Sequence, residues 1–224
     1  MNPKALDLFC CAGGAARGMQ LAGYHVTGVD SRPQPRYCGD AFLQDDAMAW
    51  LNGKRDPLSS FDLIWASPPC QRYSQLTPKD RRSEHPDLLP EVLNILRNQN
   101  IPYIVENVDG TQIYMRNPIM LCGTMFGLNI WRHRWFEVGN IGSYFFLTPP
   151  CAHDGHPILV SGRGMLGVAR GMKRSSGTSV ATRATAIGID WMVGKELDQA
   201  IPPVYARFIA EHVRTRNDYT TRSF

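Results

Sequence analysis

Short apolar runs that end on polar or acidic residues alternate along this chain with longer stretches of helical periodicity. ALDLF (5–9) has the pattern of a buried strand. The glycine-rich CCAGGAARG follows, and Met19, Leu21 and Ala22 continue as a helix that Gly23 ends. YHVTGVD (24–30) is a second strand, and it stops at Asp30. Strand, glycine turn, helix, strand and acid form a βαβ opening with a nucleotide-type crevice. FDLIWAS (61–67) predicts another strand, and PDLLPEVLNILRNQN (86–100) a helix with Leu89, Val92, Leu93 and Leu96 on its apolar stripe. IPYIVENV (101–108) predicts a strand, WRHRWFEVG (131–139) a strand near the sheet edge, and a helix near 203–215 returns to pack on the sheet. The alternation predicts an α/β fold with a mostly parallel, doubly wound sheet.

Residues 140–185 break the pattern. They are rich in Gly, Ser, Thr and Pro, and 161–183 hold Arg163, Arg170, Lys173, Arg174 and Arg183 with no acid. A small appended lobe touching phosphates is the reading preferred over a solvated loop. The expected organisation is therefore a main domain over 1–139, the lobe over 140–185, and a C-terminal segment, 186–224, that rejoins the main domain.

Composition narrows the class. The 224 residues are 43% apolar and 20% charged, which excludes a mainly disordered chain. A net charge of +4 permits nucleic-acid binding without requiring it. No apolar run approaches the roughly 18 residues of a membrane span, and MNPKALDLFC carries no signal-peptide pattern. The six cysteines fit free thiols in a cytosolic chain better than a disulfide framework. A cytoplasmic monomer with no membrane partner is expected.

Candidate chemistry gathers at strand ends. Ser67-Pro68-Pro69-Cys70-Gln71 lies just past a buried strand, at the carboxyl edge where open α/β sheets bind ligands. Two prolines stiffen it and aim the thiol, so Cys70 is either a nucleophile or an inert buried cysteine. Glu106 ends another apolar strand, as an acid or acceptor or else a surface carboxylate. Arg132 and Arg134 share one side of a strand and suit phosphate or carbonyl recognition, or are a surface pair. Asp30 suits ribose hydroxyls and Asp46 an adenine amino group. Trp131, Trp135 and Phe136 are assigned to the core. Cys151, His153 and His156 have zinc-like spacing but lack a clear fourth ligand beyond Cys122, so no metal is expected.

DLFCCAGG (7–14), SPPCQRYS (67–74), ENV (106–108), RHR (132–134) and QAIPP (199–203), in this order, resemble the cytosine-5 DNA methyltransferases. The likeness spans nearly the whole chain except about 140–182, and is greatest to short bacterial and phage-type members. It implies a class I, Rossmann-like methyltransferase fold with a small target-recognition lobe. It implies transfer of a methyl group from S-adenosylmethionine to carbon 5 of cytosine in double-stranded DNA, with the base flipped out of the duplex. By the resemblance, Cys70 is the nucleophile, Glu106 grips the ring edge, Arg134 holds the carbonyl oxygen and Arg132 braces the pocket or a phosphate. The cofactor would lie over Phe9, Gly13 and Gly14, with Asp30 on its ribose, Ser31 beside it, Asp46 and Ala47 near the adenine, and Gln199 near the methionine end. Arg72, Lys79, Arg81 and Arg82, on a closing loop, and Arg163, Arg170, Lys173 and Arg174, in the lobe, would contact the DNA backbone.

The chain departs from the family pattern at four positions. Cys11 stands where glycine is usual, and a side chain at a positive-φ turn costs about 1–2 kcal/mol. Ser31 replaces a bulky residue, Ile130 a glutamine, and Gln199 an asparagine. RNA cytosine as substrate, a cofactor analogue, a DNA-binding pseudoenzyme and a nucleotide-binding oxidoreductase are the alternatives.

Overall fold

Alternate residues of each central strand point to opposite faces of the sheet, and both faces are apolar. The computed structural model describes residues 2–142, 147–160 and 178–221. In β1 (Lys4–Leu8), Ala5 faces one layer and Leu6 and Leu8 the other; in β4 (Leu63–Ala66), Leu63 and Trp65 face the first and Ile64 and Ala66 the second. The first layer holds α1 (Gly14–Leu21) and α6 (Pro203–Thr221), and the second α2 (Ala47–Leu51) and α3 (Leu89–Arg97). The apolar stripe foreseen in α3 is the buried face, since Leu89, Val92, Leu93 and Leu96 are essentially inaccessible.

β2 (His25–Asp30), β3 (Ala41–Gln44), β5 (Tyr103–Asn107), β6 (Ile119–Leu121) and β7 (Arg134–Gly139) complete a seven-stranded sheet in the order β3-β2-β1-β4-β5-β7-β6. β1 to β5 are mutually parallel, whereas β7 is antiparallel to both β5 and β6. This is the Rossmann-like, doubly wound α/β architecture that the alternation predicts, with one antiparallel strand inserted. β3 and β6 were not foreseen: one is mostly exposed and the other spans three residues, so neither carries a buried-strand pattern.

Chain reversal at β7 matters most for the site. Asn107 of β5 pairs with Trp135 of β7, so β7 begins at the edge where β5 ends. The segment before β7 is thereby delivered to the carboxyl edge of the parallel strands. α1 and α6 pack closely because Gly14 and Gly18 lack side chains. A Cβ on Gly14 would stand 2.4 Å from the Ile201 carbonyl oxygen, and one on Gly18 2.3 Å from that of Pro203.

A third apolar cluster joins Ala12 and Ile130 to Val160, to α4 (Val180–Ile187) through Ala184, Ala186 and Ile187, and to Leu197 of α5 (Lys195–Gln199). α4 runs across position 185, where the lobe was expected to end. Arg183, grouped above with the phosphate-facing lobe residues, is corrected by its position. It is buried, donates to the Val160 carbonyl at 2.5 Å and to that of Gly194 at 3.2 Å, and pairs with Asp198. Arg163, Arg170, Lys173 and Arg174 lie outside the described residues. Among the described residues, no helix is long and apolar enough to cross a membrane.

Candidate active site

Ser67, Pro68, Pro69 and Cys70 leave β4 at its carboxyl end as an extended loop. Its first half is fixed to the sheet: the Trp65 indole donates to the Ser67 hydroxyl at 2.9 Å, and Asn107 Nδ2 donates to the Pro68 carbonyl at 3.0 Å. The backbone then turns, with the Tyr73 and Ser74 amides donating to the Cys70 carbonyl at 3.0 and 2.9 Å. Cys70 is held at the sheet edge, half-buried.

Glu106, from β5, is buried and pairs with Arg134 Nε at 3.0 Å. Burial pushes its carboxyl above the ordinary range, against the opposing pull of Arg134, a hydrogen bond from Ser67, and Arg132. The Cys70 thiol is also pushed up, chiefly by burial; Arg134 and Arg132 draw it down and Glu106 raises it. Cys70, Glu106, Arg132 and Arg134 thus act on one another electrostatically, and the sequence brings them from three separate segments.

Arg132 is not positioned by strand periodicity, as its i, i+2 spacing suggested. β7 begins only at Arg134, and Arg132 lies in the irregular stretch before it. The C-terminal part of the chain sets it instead: its Nη2 donates to the Asp198 carbonyl at 2.7 Å, and the Tyr205 hydroxyl donates to its own carbonyl at 2.8 Å. Its Nε is buried with no acceptor among the described residues, so one donor remains to be satisfied there. Burial, and then the neighbouring Arg134 charge, lower its pKa.

The turn after β1 borders this group. Phe9 and Cys11 both have positive φ, at 61° and 46°, and Gly13 follows at 86°. The expected strain at Cys11 is therefore present. Asp30 secures the turn: one carboxylate oxygen accepts from the Cys11 amide at 3.0 Å and the other from the Arg32 amide at 2.9 Å. Both oxygens expected on a ribose are already engaged, leaving their remaining lone pairs for a ligand. Cys11 Sγ lies 3.8 Å from Gln199 Oε1, and the Cys11 thiol also feels Cys70 and Glu106, so the turn and the Cys70 group are neighbours.

Beyond β3 the Asp45 amide donates to the Asp30 carbonyl at 3.0 Å, which brings the third strand end alongside the second. Asp46 caps α2 by accepting from the Met48 amide at 2.9 Å and stays exposed. The Ala47 side chain is buried under α2, so only its backbone can face a ligand. Ser31 is exposed beside Asp30. Phe9, Asp30, Ser31 and Asp46 thus end or follow strands, Gly13 and Gly14 open α1, and Gln199 closes α5 with its side chain beside Cys11.

The loop after Cys70 carries the four basic residues assigned to DNA. Arg72 pairs with Asp87 at 3.1 Å and Arg81 with Glu84 at 3.2 Å. Arg82 turns inward, donating to the carbonyls of Thr77 at 3.3 Å and Ser74 at 3.1 Å. Lys79 is exposed.

Three members of one further constellation, Cys122, Cys151 and His153, are singled out in the sequence, but its fourth, His133, is not. Cys122, His133, Cys151 and His153 converge, whereas His156, the expected companion of Cys151 and His153, is not in the group. His133 was hidden between two arginines of interest, and no local spacing links it to the others. Of the aromatic trio, Phe136 is core, but Trp131 stacks on His153 with ring centroids 4.6 Å apart. Trp135 donates to Asp109 at 2.8 Å.

Residues 4–118 match the family profile of the C-5 cytosine-specific DNA methylases. A Type II methylase from Herpetosiphon aurantiacus, M.HgiDII, is 27% identical over 130 residues, covering 53% of this chain and 36% of the relative. The chain thus spans little more than a third of that protein. Among solved structures, the Dnmt2 methyltransferase of S. pombe superposes with a TM-score of 0.57 at 13% identity, over 99% of this chain and 100% of that one. EhMeth of Entamoeba histolytica gives 0.55 at 12%, over 96% and 98%. At such identities these two speak for the fold.

Proposed function

The chain belongs to the C-5 cytosine-specific DNA methylase family, and from that premise we propose that it methylates carbon 5 of cytosine in double-stranded DNA through covalent attack by Cys70. The observation that carries the reading is the buried Glu106–Arg134 pair, 3.0 Å apart, with Cys70 and Arg132 in its field at the carboxyl edge of the sheet. Carbon 5 of cytosine is a poor nucleophile while the ring is aromatic. A sulfur–carbon bond from Cys70 to carbon 6 breaks the aromaticity and leaves carbon 5 electron-rich.

Glu106 supports that addition. Burial favours its neutral form, so a carboxyl proton can be donated to ring nitrogen 3 while the other oxygen accepts from the exocyclic amine. Neutral Glu106 also opposes the Cys70 thiolate less. Arg134 is suited to the carbonyl oxygen at position 2. The Nε of Arg132, unmatched among the described residues, can meet the same base or an adjacent phosphate. These contacts oppose charge that develops only during addition, so they lower the barrier rather than only tighten binding.

S-adenosylmethionine is the cofactor, and when bound it supplies an electrophilic methyl group for carbon 5. The strand-end turn suits it: Phe9, Cys11 and Gly13 hold the backbone in the left-handed region, and Asp30, Asp46 and Gln199 are proposed as its acceptors. After transfer, carbon 5 loses its proton, the bond to Cys70 Sγ breaks, and the ring is restored. A stacked base shields carbon 6, so the cytosine is flipped out at a cost of a few kcal/mol. Lys79 and Arg81 on the loop after Cys70, with Arg72 once freed from Asp87, are proposed to offset that cost at the phosphates. Residues 140–185 are proposed as the recognition lobe.

The test is covalent trapping. Duplex DNA containing 5-fluorocytosine, with S-adenosylmethionine, should give a denaturation-resistant adduct with the wild type and none with Cys70→Ala. An adduct formed only on the matching RNA would transfer the reading to RNA. Bound DNA with no adduct would overturn covalent catalysis.

A further inference from the structure

Two sulfurs and two imidazole nitrogens face one another outside the proposed catalytic group, in a part of the chain that the family match does not reach. Cys151 Sγ lies 3.0 Å from His153 Nε2 and 3.5 Å from His133 Nε2. Cys122 Sγ lies 3.4 Å from His153 Nε2, and the two Nε2 atoms are 3.1 Å apart. All four ligand atoms fall within 4.8 Å of one another. Four tetrahedral ligands at the usual zinc–sulfur and zinc–nitrogen bond lengths stand about 3.3–3.8 Å apart, and the four separations of 3.0–3.5 Å lie within a few tenths of an ångström of that range. The two imidazole rings are stacked, with centroids 4.9 Å apart, so both present their Nε2 edges to the same side as the sulfurs.

We infer that Cys122, His133, Cys151 and His153 form a closed, four-coordinate structural zinc(II) site. The donor set suits zinc: two thiolates and two neutral imidazoles in a tetrahedron match a borderline-soft ion with no geometric demand of its own. Surrounding groups complete it. The Thr124 hydroxyl donates to Cys122 Sγ at 3.4 Å and to Cys151 Sγ at 3.8 Å. Asp109 Oδ2 faces His133 Nδ1 at 3.7 Å, the side of the ring away from the sulfurs, and is itself oriented by the Trp135 indole. Trp131 covers the face of the His153 ring.

The ligands explain what the ion does. Cys122 follows β6 and is buried, His133 lies between Arg132 and Arg134, and Cys151 and His153 sit on the segment that follows residue 146. One ion therefore ties that segment to the start of β7.

The full chain, expressed with zinc and purified without chelator, should carry one zinc ion per chain by elemental analysis. Cobalt(II) added to chelator-stripped protein should give the intense visible bands of tetrahedral coordination with a thiolate charge-transfer band. Cys151→Ala and His153→Ala should each lose the zinc and the charge-transfer or tetrahedral signature, while His156→Ala keeps both. His153 is exposed, so its variant should fold even if the Cys122 variant does not. A wild type that carries no zinc and gives no cobalt–thiolate band overturns the site. A Cys122–Cys151 disulfide in the protein kept under reducing conditions overturns it equally, and loss of zinc in His156→Ala overturns this ligand set.

Discussion

Asn107 Nδ2 donates to the carbonyl oxygen of Pro68 at 3.0 Å, in the interior of the molecule. This bond links the end of β5, which carries Glu106, to the loop that carries Cys70. Neither proline of that loop has an amide hydrogen with which to anchor itself to the sheet. Asn107 is therefore the fixed point from which the thiol is aimed.

Removing that bond should act on rate more than on folding. For Asn107→Ala we expect a stability loss of about 1–3 kcal/mol, the cost of an unsatisfied buried carbonyl. We also expect a fall in kcat of about tenfold or more, because small misplacements of reacting groups are costly. Denaturant unfolding and single-turnover methylation measure the two separately; an unchanged kcat with the stability loss present would show that Asn107 does not aim Cys70.

The charges around Cys70 make opposite predictions for two variants. Burial raises its thiol, Glu106 raises it further, and Arg134 lowers it. The pH at which Cys70 becomes half-alkylated by iodoacetamide should shift downward in Glu106→Gln and upward in Arg134→Gln. Mass spectrometry of the Cys70 peptide across a pH series reads this directly. The absence of a shift in both would mean that burial alone sets the thiol.

Cys11 adopts φ 46°, a region that disfavours residues with a Cβ. Cys11→Gly should raise stability by about 0.5–1 kcal/mol, the relieved strain being partly cancelled by the freedom glycine adds to the unfolded chain. Cys11→Ala retains the Cβ and should give no such gain. Thermal melts of both variants separate the backbone effect from loss of the thiol.

Glu137 is buried under a ring of donors. Arg97 meets it at 2.6 Å, the Tyr103 hydroxyl donates at 2.6 Å and the Arg116 amide at 2.5 Å. Burial raises its pKa, but Arg97, Tyr103 and the Arg116 amide outweigh that and hold it below the ordinary carboxylate range. Because the folded value lies below the unfolded one, its contribution is complete above the ordinary range and fades as pH falls through the folded value. Glu137→Ala should cost about 3–5 kcal/mol at neutral pH, since it strands a partly buried guanidinium. The deficit should shrink in acid, which urea unfolding at neutral and acidic pH would measure.

Much of the site was legible as linear pattern. Cys70 after two prolines, Glu106 at the end of an apolar strand and Asp30 at the end of another each follow from where strands stop. Parallel strands deliver their carboxyl ends to one edge, so the sequence order of those residues already implied their meeting. The strands β1, β2, β4 and β5 and the helix α3 were equally plain, because burial on one or both faces imposes a periodicity that can be read residue by residue.

Residues whose roles depend on distant partners were not legible. Arg132 owes its position to Tyr205 and the Asp198 carbonyl, more than sixty positions away. Arg183 looked like one more cation in a basic tract, yet it is buried against Val160 and Asp198. His133 joined Cys122, Cys151 and His153 only because the antiparallel β7 starts beside the end of β6. By itself the sequence determined the strand ends and the chemistry they carry, because local periodicity and chain direction fix both. Tertiary packing alone decided which buried cation serves the site, which serves the core, and which four side chains share a point, because those contacts close over separations that no local pattern records.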